Sequence, residues 1–193
     1  MKRFFVYLSF ILLVGHSVAA LDVVPLKGID KERLLVMEVD YGTGIGEVII
    51  FMRPELAPNH VARIKELVRQ GYYDGVIFHR VIENFMAQTG DPKGDGTGGS
   101  GQKIDAEFNV MPHMRGTVSM ARNGEDENSA DSQFFITFDR RPDLDKNYTV
   151  WGRVLRGMKT IDAIPRGEPP VAPATIVRMR VAADIEDFDS RVN

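Results

Sequence analysis

The chain has no cysteine in its 193 residues, which excludes disulfides and every chemistry that depends on a thiolate. It has no run of lysine and arginine either, and its formal net charge is −3, so the basic patch through which nucleic acid is usually held is missing. No Gly-x-Ser-x-Gly elbow occurs to seat a serine nucleophile. Beyond residue 20 the histidines are His60, His79 and His113, with no i,i+4 pair and no His-Glu-x-x-His, so neither a metal site nor a catalytic triad is expected. The glycine-rich run from Gly90 to Gly101 lacks the Gly-Lys-Ser/Thr of a phosphate loop. Read as a calcium loop from Asp91, that run has Lys93 and Gln102 where the third and twelfth positions need oxygen donors, the twelfth a bidentate Glu. A second acidic window, 126–137, fails at its last position too.

What is present begins with a segment unlike the rest. Lys2 and Arg3 precede an apolar run over 4–14, and Ser17-Val18-Ala19-Ala20 supplies small residues for cleavage. This is the layout of a secretory signal peptide over residues 1–20, and the run is shorter than the ~20 residues a membrane span needs. Removing Lys2 and Arg3 takes the 24 basic residues to 22 against 27 acidic ones, a net charge of −5. An acidic, cysteine-free chain behind such a leader fits an exported, periplasmic setting. A hydrophobic fraction of 44% and a charged fraction of 26% are ordinary for one soluble globular domain, and the length suffices for a core without staples.

Residues 21–32 form a lead-in without period. From Arg33 the pattern alternates, with Leu35, Met37 and Val39 on one face and Leu34, Val36, Glu38 and Asp40 on the other. The turn signal Tyr41-Gly42-Thr43-Gly44 and the apolar run 47–51 make this a hairpin. From Ala57 or Pro58, the residues Val61, Ile64, Leu67 and Val68 recur at helical spacing, and Gly71 supplies the stop. Strand-like pieces follow over 76–81, 85–89, 116–121, 133–138, 149–155 and 175–183, with a short helix over 158–164 before Pro165. Many strands with two helices predict an all-β-dominated fold closed into an antiparallel barrel. The stretch 166–173 reads as a Pro-rich surface loop and 184–193 as a loose acidic tail.

Taken singly, the Phe and Met residues after position 76 read as core, and Arg80 as a surface residue snorkelling over it. Taken in order they say more. Asp74-Gly75-x-x-Phe78-His79-Arg80, Phe85-Met86-x-Gln88-x-Gly90-Asp91, Gly96-Thr97-Gly98-Gly99, Ser119-Met120-Ala121, Ser132-Gln133-Phe134-Phe135-Ile136, Leu144-Asp145 and Trp151-Gly152-x-Val154 follow one another as in the cyclophilins. The chain resembles that family over residues 33–183. The resemblance implies an eight-stranded closed antiparallel β-barrel capped by two α-helices, a peptidyl-prolyl cis-trans isomerase activity that assists folding of exported proteins, no cofactor, and a monomer acting on Xaa-Pro segments of flexible polypeptides.

By the same resemblance, Arg80 is the catalytic residue, and Phe85, Met86, Phe135 and Leu144 form the apolar pocket for the proline ring. Gln88 and the segment Ala121-Arg122-Asn123 would hold the substrate backbone, with Gln133 beside the pocket. The competing reading is a module or holdase that binds proline segments without catalysis; an arginine in the pocket argues against it. Four features depart from the family's best-known pattern. Tyr148 stands where His is usual; as a substrate-binding residue it can still pack against the ring and donate through its hydroxyl. Asp143 stands where many members carry the Trp that contacts cyclosporin, so weak inhibition by that drug is expected. Arg122 replaces a frequent Asn, and the loop 125–131 is longer.

Overall fold

Alternation in the first strand separates two apolar layers. The computed structural model describes residues 26–192, so the leader read over 1–20 and the first part of the lead-in, 21–25, lie outside the described residues. In β1 (Leu34–Asp40), Leu35, Met37 and Val39 enter the main core. Leu34 and Val36 point the other way, into a smaller cluster with Leu26, Ile49, Ala182 and Phe188. β2 (Ile45–Met52) pairs antiparallel with β1, Leu34 opposite Phe51 and Asp40 opposite Ile45. The turn between them needs Gly42, which has φ of 87° and donates its N–H to Asp40 Oδ1 at 2.8 Å.

The helix α1 (Pro58–Arg69) buries His60, Val61, Ile64, Leu67 and Val68, one stripe at helical spacing. Ala57 cannot cap it. Glu107, from a distant loop, accepts the N–H groups of Asn59 and His60 at 3.0 Å each and pairs with His60 Nδ1 at 2.6 Å. A carboxylate on the first free amides of a helix is the favourable sign for its dipole.

Six further strands complete the sheet: β3 (Arg80–Ile82), β4 (Met86–Thr89), β5 (Thr117–Met120), β6 (Phe134–Thr137), β7 (Val150–Arg156) and β8 (Thr175–Val181). They run antiparallel in the order β3-β4-β6-β5-β7-β2-β1-β8. The helix α2 (Met158–Asp162) ends earlier than the expected 164 and packs on β2. Inside the curl, Trp151, Phe134 and Tyr73 are fully buried and meet edge to face, with ring centroids 5.5 and 5.6 Å apart.

Two expectations are corrected. The barrel is not closed: the sheet is open and curled, and its edge strands β3 and β8 share no ladder. The cause is the stretch before β3, which is turn and coil from Gly71 to Gly75 and becomes regular strand only at Arg80. Ile77 makes a lone bridge to Thr175, and Phe78 N–H donates to Ala174 O at 2.9 Å across the seam. The acidic end is also not loose. The helix α3 (Phe188–Val192) follows a 3-10 turn, and Phe188, 3% exposed, covers the outward face of Leu34 and Val36. Without that cover two apolar side chains of β1 would face water.

Candidate active site

Strand pairing sets Arg80 opposite Gln88, Gln88 opposite Phe135 and Phe135 opposite Ser119, so the four form one row across β3, β4, β6 and β5. Directly opposed residues share a face. The flanking row, Val81, Ala87, Ile136 and Val118, points inward and is buried in the main core. The expected site therefore lies on the outer face of the sheet.

There Met86, Phe135 and Leu144 are each buried to 6% exposure or less and form a separate apolar cluster, with Ile82, Phe85, Ala121 and Tyr148 packed against it. Leu144 arrives from a 3-10 turn, Pro142–Leu144, after β6. Tyr148 meets Phe135 edge to face at 5.6 Å, and the Arg122 guanidinium lies 4.9 Å from the Tyr148 ring centroid. Arg80 closes the far rim with its guanidinium 5.8 Å from the Phe85 ring. The cavity so enclosed is about 110 Å³. A closed cavity of ~150 Å³ takes up benzene, so this pocket matches a five-membered ring in size.

A second, wider cavity of about 420 Å³ adjoins it, and the two share Gln88, Ala121 and Arg122 as walls. Asn123 and Gln133 line the wider one. All eleven residues expected at the site thus line one or other of these two cavities. Gln88 Nε2 donates to Gln133 Oε1 at 2.9 Å, and Gln133 Nε2 donates to the carbonyls of Gly96 and Gly98 at 3.0 and 2.8 Å. The glycine-rich loop therefore orients both amides. That loop is in turn wound around Asp91, 1% exposed, which accepts the N–H groups of Lys93 and Gly96 at 2.7 and 2.6 Å. Those amides hold the Asp91 carboxyl below its usual range against the opposing effect of burial. Gly90 must be glycine: its φ is 91°, and a Cβ would collide with the Ser132 carbonyl.

The main chain of Asn123 is engaged within the protein. Its N–H donates to Ser129 Oγ at 2.8 Å, and its carbonyl accepts Arg122 Nη1 at 2.9 Å. Arg122 also donates Nε to Asn147 O at 2.9 Å, so the side chain replacing the family's Asn ties the 121–123 segment, which lines the wider cavity, to the loop that brings Leu144 and Tyr148 to the smaller one.

Sequence reading missed three things. Behind Phe135, His113 is fully buried, with Nδ1 3.1 Å from Asp145 Oδ1 and Nε2 3.1 Å from Ser119 Oγ. These are the residue types of a catalytic triad, and no local motif announces them. They cannot act as one, because Ser119 is inaccessible and its hydroxyl donates to Thr149 O at 2.8 Å. The group instead forms a floor: the imidazole stacks on Phe135 at 6.0 Å with 16° between planes. Burial lowers the His113 pKa despite Asp145, and the Arg140 guanidinium, with help from His113, takes Asp145 down to about 2. Second, Arg141 lies 4.0 Å over the Phe85 ring and pairs with Asp143 at 2.8 Å. Third, Arg80 Nε donates to Glu168 Oε2 at 2.8 Å.

A curled antiparallel sheet with a small apolar pocket on its outer face, rimmed by guanidinium and amide donors, defines a protein built to bind a short apolar ring next to a polar backbone. The family model described as cyclophilin type peptidyl-prolyl cis-trans isomerase/CLD matches residues 36–181. A "Probable peptidyl-prolyl cis-trans isomerase" of Brucella suis is 48% identical, over 80% of this chain and 85% of that one. The human "Peptidyl-prolyl cis-trans isomerase-like 3" is 42% identical, over 67% of this chain and 83% of that one. Among solved structures, the cyclophilin AquaCyp293 of Hirschia baltica superposes with a TM-score of 0.73 at 32% identity, covering 81% of this chain and 76% of that one. A Cryptosporidium parvum cyclophilin, solved in the presence of the dipeptide Ala-Pro, gives 0.70 at 27% identity, covering 77% and 98%. The chain belongs to the cyclophilin-type peptidyl-prolyl cis-trans isomerases.

Proposed function

We propose that the isomerase reaction runs on Arg80 above the pocket of Phe85, Met86, Phe135 and Leu144, on Xaa-Pro segments of flexible exported polypeptides. The barrier to be lowered is ~18–20 kcal/mol, set by amide resonance, and the uncatalysed event takes tens of seconds. No bond is made or broken. When the amide twists, the prolyl nitrogen loses conjugation and gains a lone pair, and a fixed guanidinium can donate to it. That interaction is weaker in either planar state, and such a difference is what lowers a barrier. A hydrogen bond to a charged group is worth ~1.5–3 kcal/mol, about ten- to a hundredfold in rate.

The apolar pocket supplies the rest by taking the ring, and part of the polar amide, out of water, which favours the less dipolar twisted state. Gln88 and the Ala121-Arg122 part of the segment hold the flanking backbone, since the Asn123 main chain is already engaged with Ser129 and Arg122. The observation that carries this reading is the Arg80 guanidinium on the rim of an apolar cavity of about 110 Å³. The protein is read as a monomer, and export rests on the leader pattern over residues 1–20.

The test is a protease-coupled isomerisation assay on an Ala-Pro peptide, with fractionation of the producing cell and determination of the purified protein's first residue. Turnover together with an N-terminus at Ala20 or Leu21 in an exported fraction supports the reading. Binding without turnover refutes the reaction, and a retained Met1 in the cytoplasm refutes export.

A further inference from the structure

The 166–173 loop is fastened to the strand that bears Arg80. Val81 and Gly167 exchange both backbone hydrogen bonds, at 2.8 and 2.9 Å. Arg166 anchors the start of the loop, donating to Glu83 at 2.7 Å and lying 4.3 Å over the Phe138 ring. One residue beyond Gly167, Glu168 meets Arg80 at Nε, 2.8 Å away. Among the described residues, Nη1 and Nη2 of Arg80 have no protein partner.

A guanidinium is a planar fork at the end of a long, rotamer-rich side chain. Fixing Nε fixes the plane, and the two Nη groups are then the edge left for a ligand. An unanchored Arg80, more than one-third exposed, would have to surrender that freedom each time substrate bound.

We infer that Glu168 is a positioning residue for the reaction: through Nε it holds the Arg80 guanidinium in the orientation in which its Nη groups meet the prolyl amide. The inference rests on the reading of Arg80 given above. As a surface ion pair the contact contributes little to stability, so its consequence falls on turnover.

The experiment is a double-mutant cycle on the full chain. Glu168→Ala is expected to lower kcat/KM about two- to tenfold, the equivalent of part of one long side chain's rotamer freedom, mostly in kcat. Glu168→Gln keeps an acceptor oxygen at the same reach and recovers part of the loss. In an Arg80→Ala background Glu168→Ala is expected to have no further effect. In the nuclear magnetic resonance spectrum the Arg80 Nε–H signal, protected in the parent, exchanges rapidly in Glu168→Ala while the β3 backbone signals stay in place.

If Glu168→Ala leaves kcat/KM unchanged or raises it while Arg80→Ala lowers it, the positioning role is overturned and the Arg80 reading survives. An equal loss in both backgrounds assigns Glu168 to loop structure and also overturns the proposal. Wild-type turnover by Arg80→Ala removes the Arg80 reading itself, and the inference with it.

Discussion

Replacing Arg80 by alanine separates the chemistry from the fold more cleanly than any other change. The side chain is 38% exposed, and its ion pair is with Glu168, 53% exposed. Such a pair contributes ~0–1 kcal/mol, which for a chain of this size moves Tm by roughly 2–4 °C at most. The backbone bonds of β3 to β4 and to Gly167 do not involve the side chain. Loss of the charged donor at the twisted amide is expected to lower kcat/KM by about ten- to a hundredfold. Arg80→Lys keeps the charge but not the planar fork, and should fall between parent and alanine variant. Initial rates in the protease-coupled assay, with substrate varied, and thermal unfolding of the same preparations give both numbers. A folded Arg80→Ala protein with near-parental turnover would falsify the assignment.

Phe135→Ala removes a ring that is 5% exposed and touches both Tyr148 and the His113 floor, so it should destabilise by ~3–5 kcal/mol and raise KM, read by urea unfolding and by the same assay. Burial lowers the pKa of His60, His79 and His113 in the folded chain. The unfolded chain binds protons at those sites from about pH 6.5 downward, so it binds more than the folded one, and urea midpoints should fall as pH drops below that value. Asp145, lowered to about 2, adds a second loss of stability as pH falls from about 4 towards that value; midpoints flat from pH 7 to 3 would refute both steps. Cyclosporin should inhibit weakly, because the position of the family's Trp holds Asp143, more than half exposed and paired with Arg141; Asp143→Trp is expected to lower the half-inhibitory concentration, and tight inhibition of the parent would refute the reasoning.

The strands and the main helix were legible because their signals are local and periodic. The alternation over 34–40 and the 61, 64, 67, 68 spacing each reappear as a buried face. Barrel closure was not legible, because it depends on how the chain leaves Gly71–Gly75 and on how few residues after it take up strand geometry. The packed C-terminus was hidden by its charge: Asp184 and Asp189 face Arg69 and Lys31, while Phe188, with Ile185 packed beside it, does the docking. The site residues were legible through ordered motifs. The His113–Asp145–Ser119 floor was not, since its members come from a loop, a turn and a strand and meet only in three dimensions.

The period of two also explains why one sheet can carry both a core and a site. Phe134 and Phe135 are neighbours in sequence, yet Phe134 meets Tyr73 and Trp151 inside the curl while Phe135 meets Tyr148 and His113 outside it. The same alternation sets Val81 inside and Arg80 outside on β3, and Ala87 inside and Gln88 outside on β4. A slip of one residue between β4 and β6 would turn Arg80 and Gln88 towards the core and Val81 and Ala87 towards the pocket, while Phe135 stayed outside and Ile136 inside. Register is therefore as much a part of the active site as any side chain, and the inner row of Val81, Ala87, Ile136 and Val118 fixes it. Those four residues touch no part of the pocket's chemistry, yet their burial decides which face Arg80 occupies.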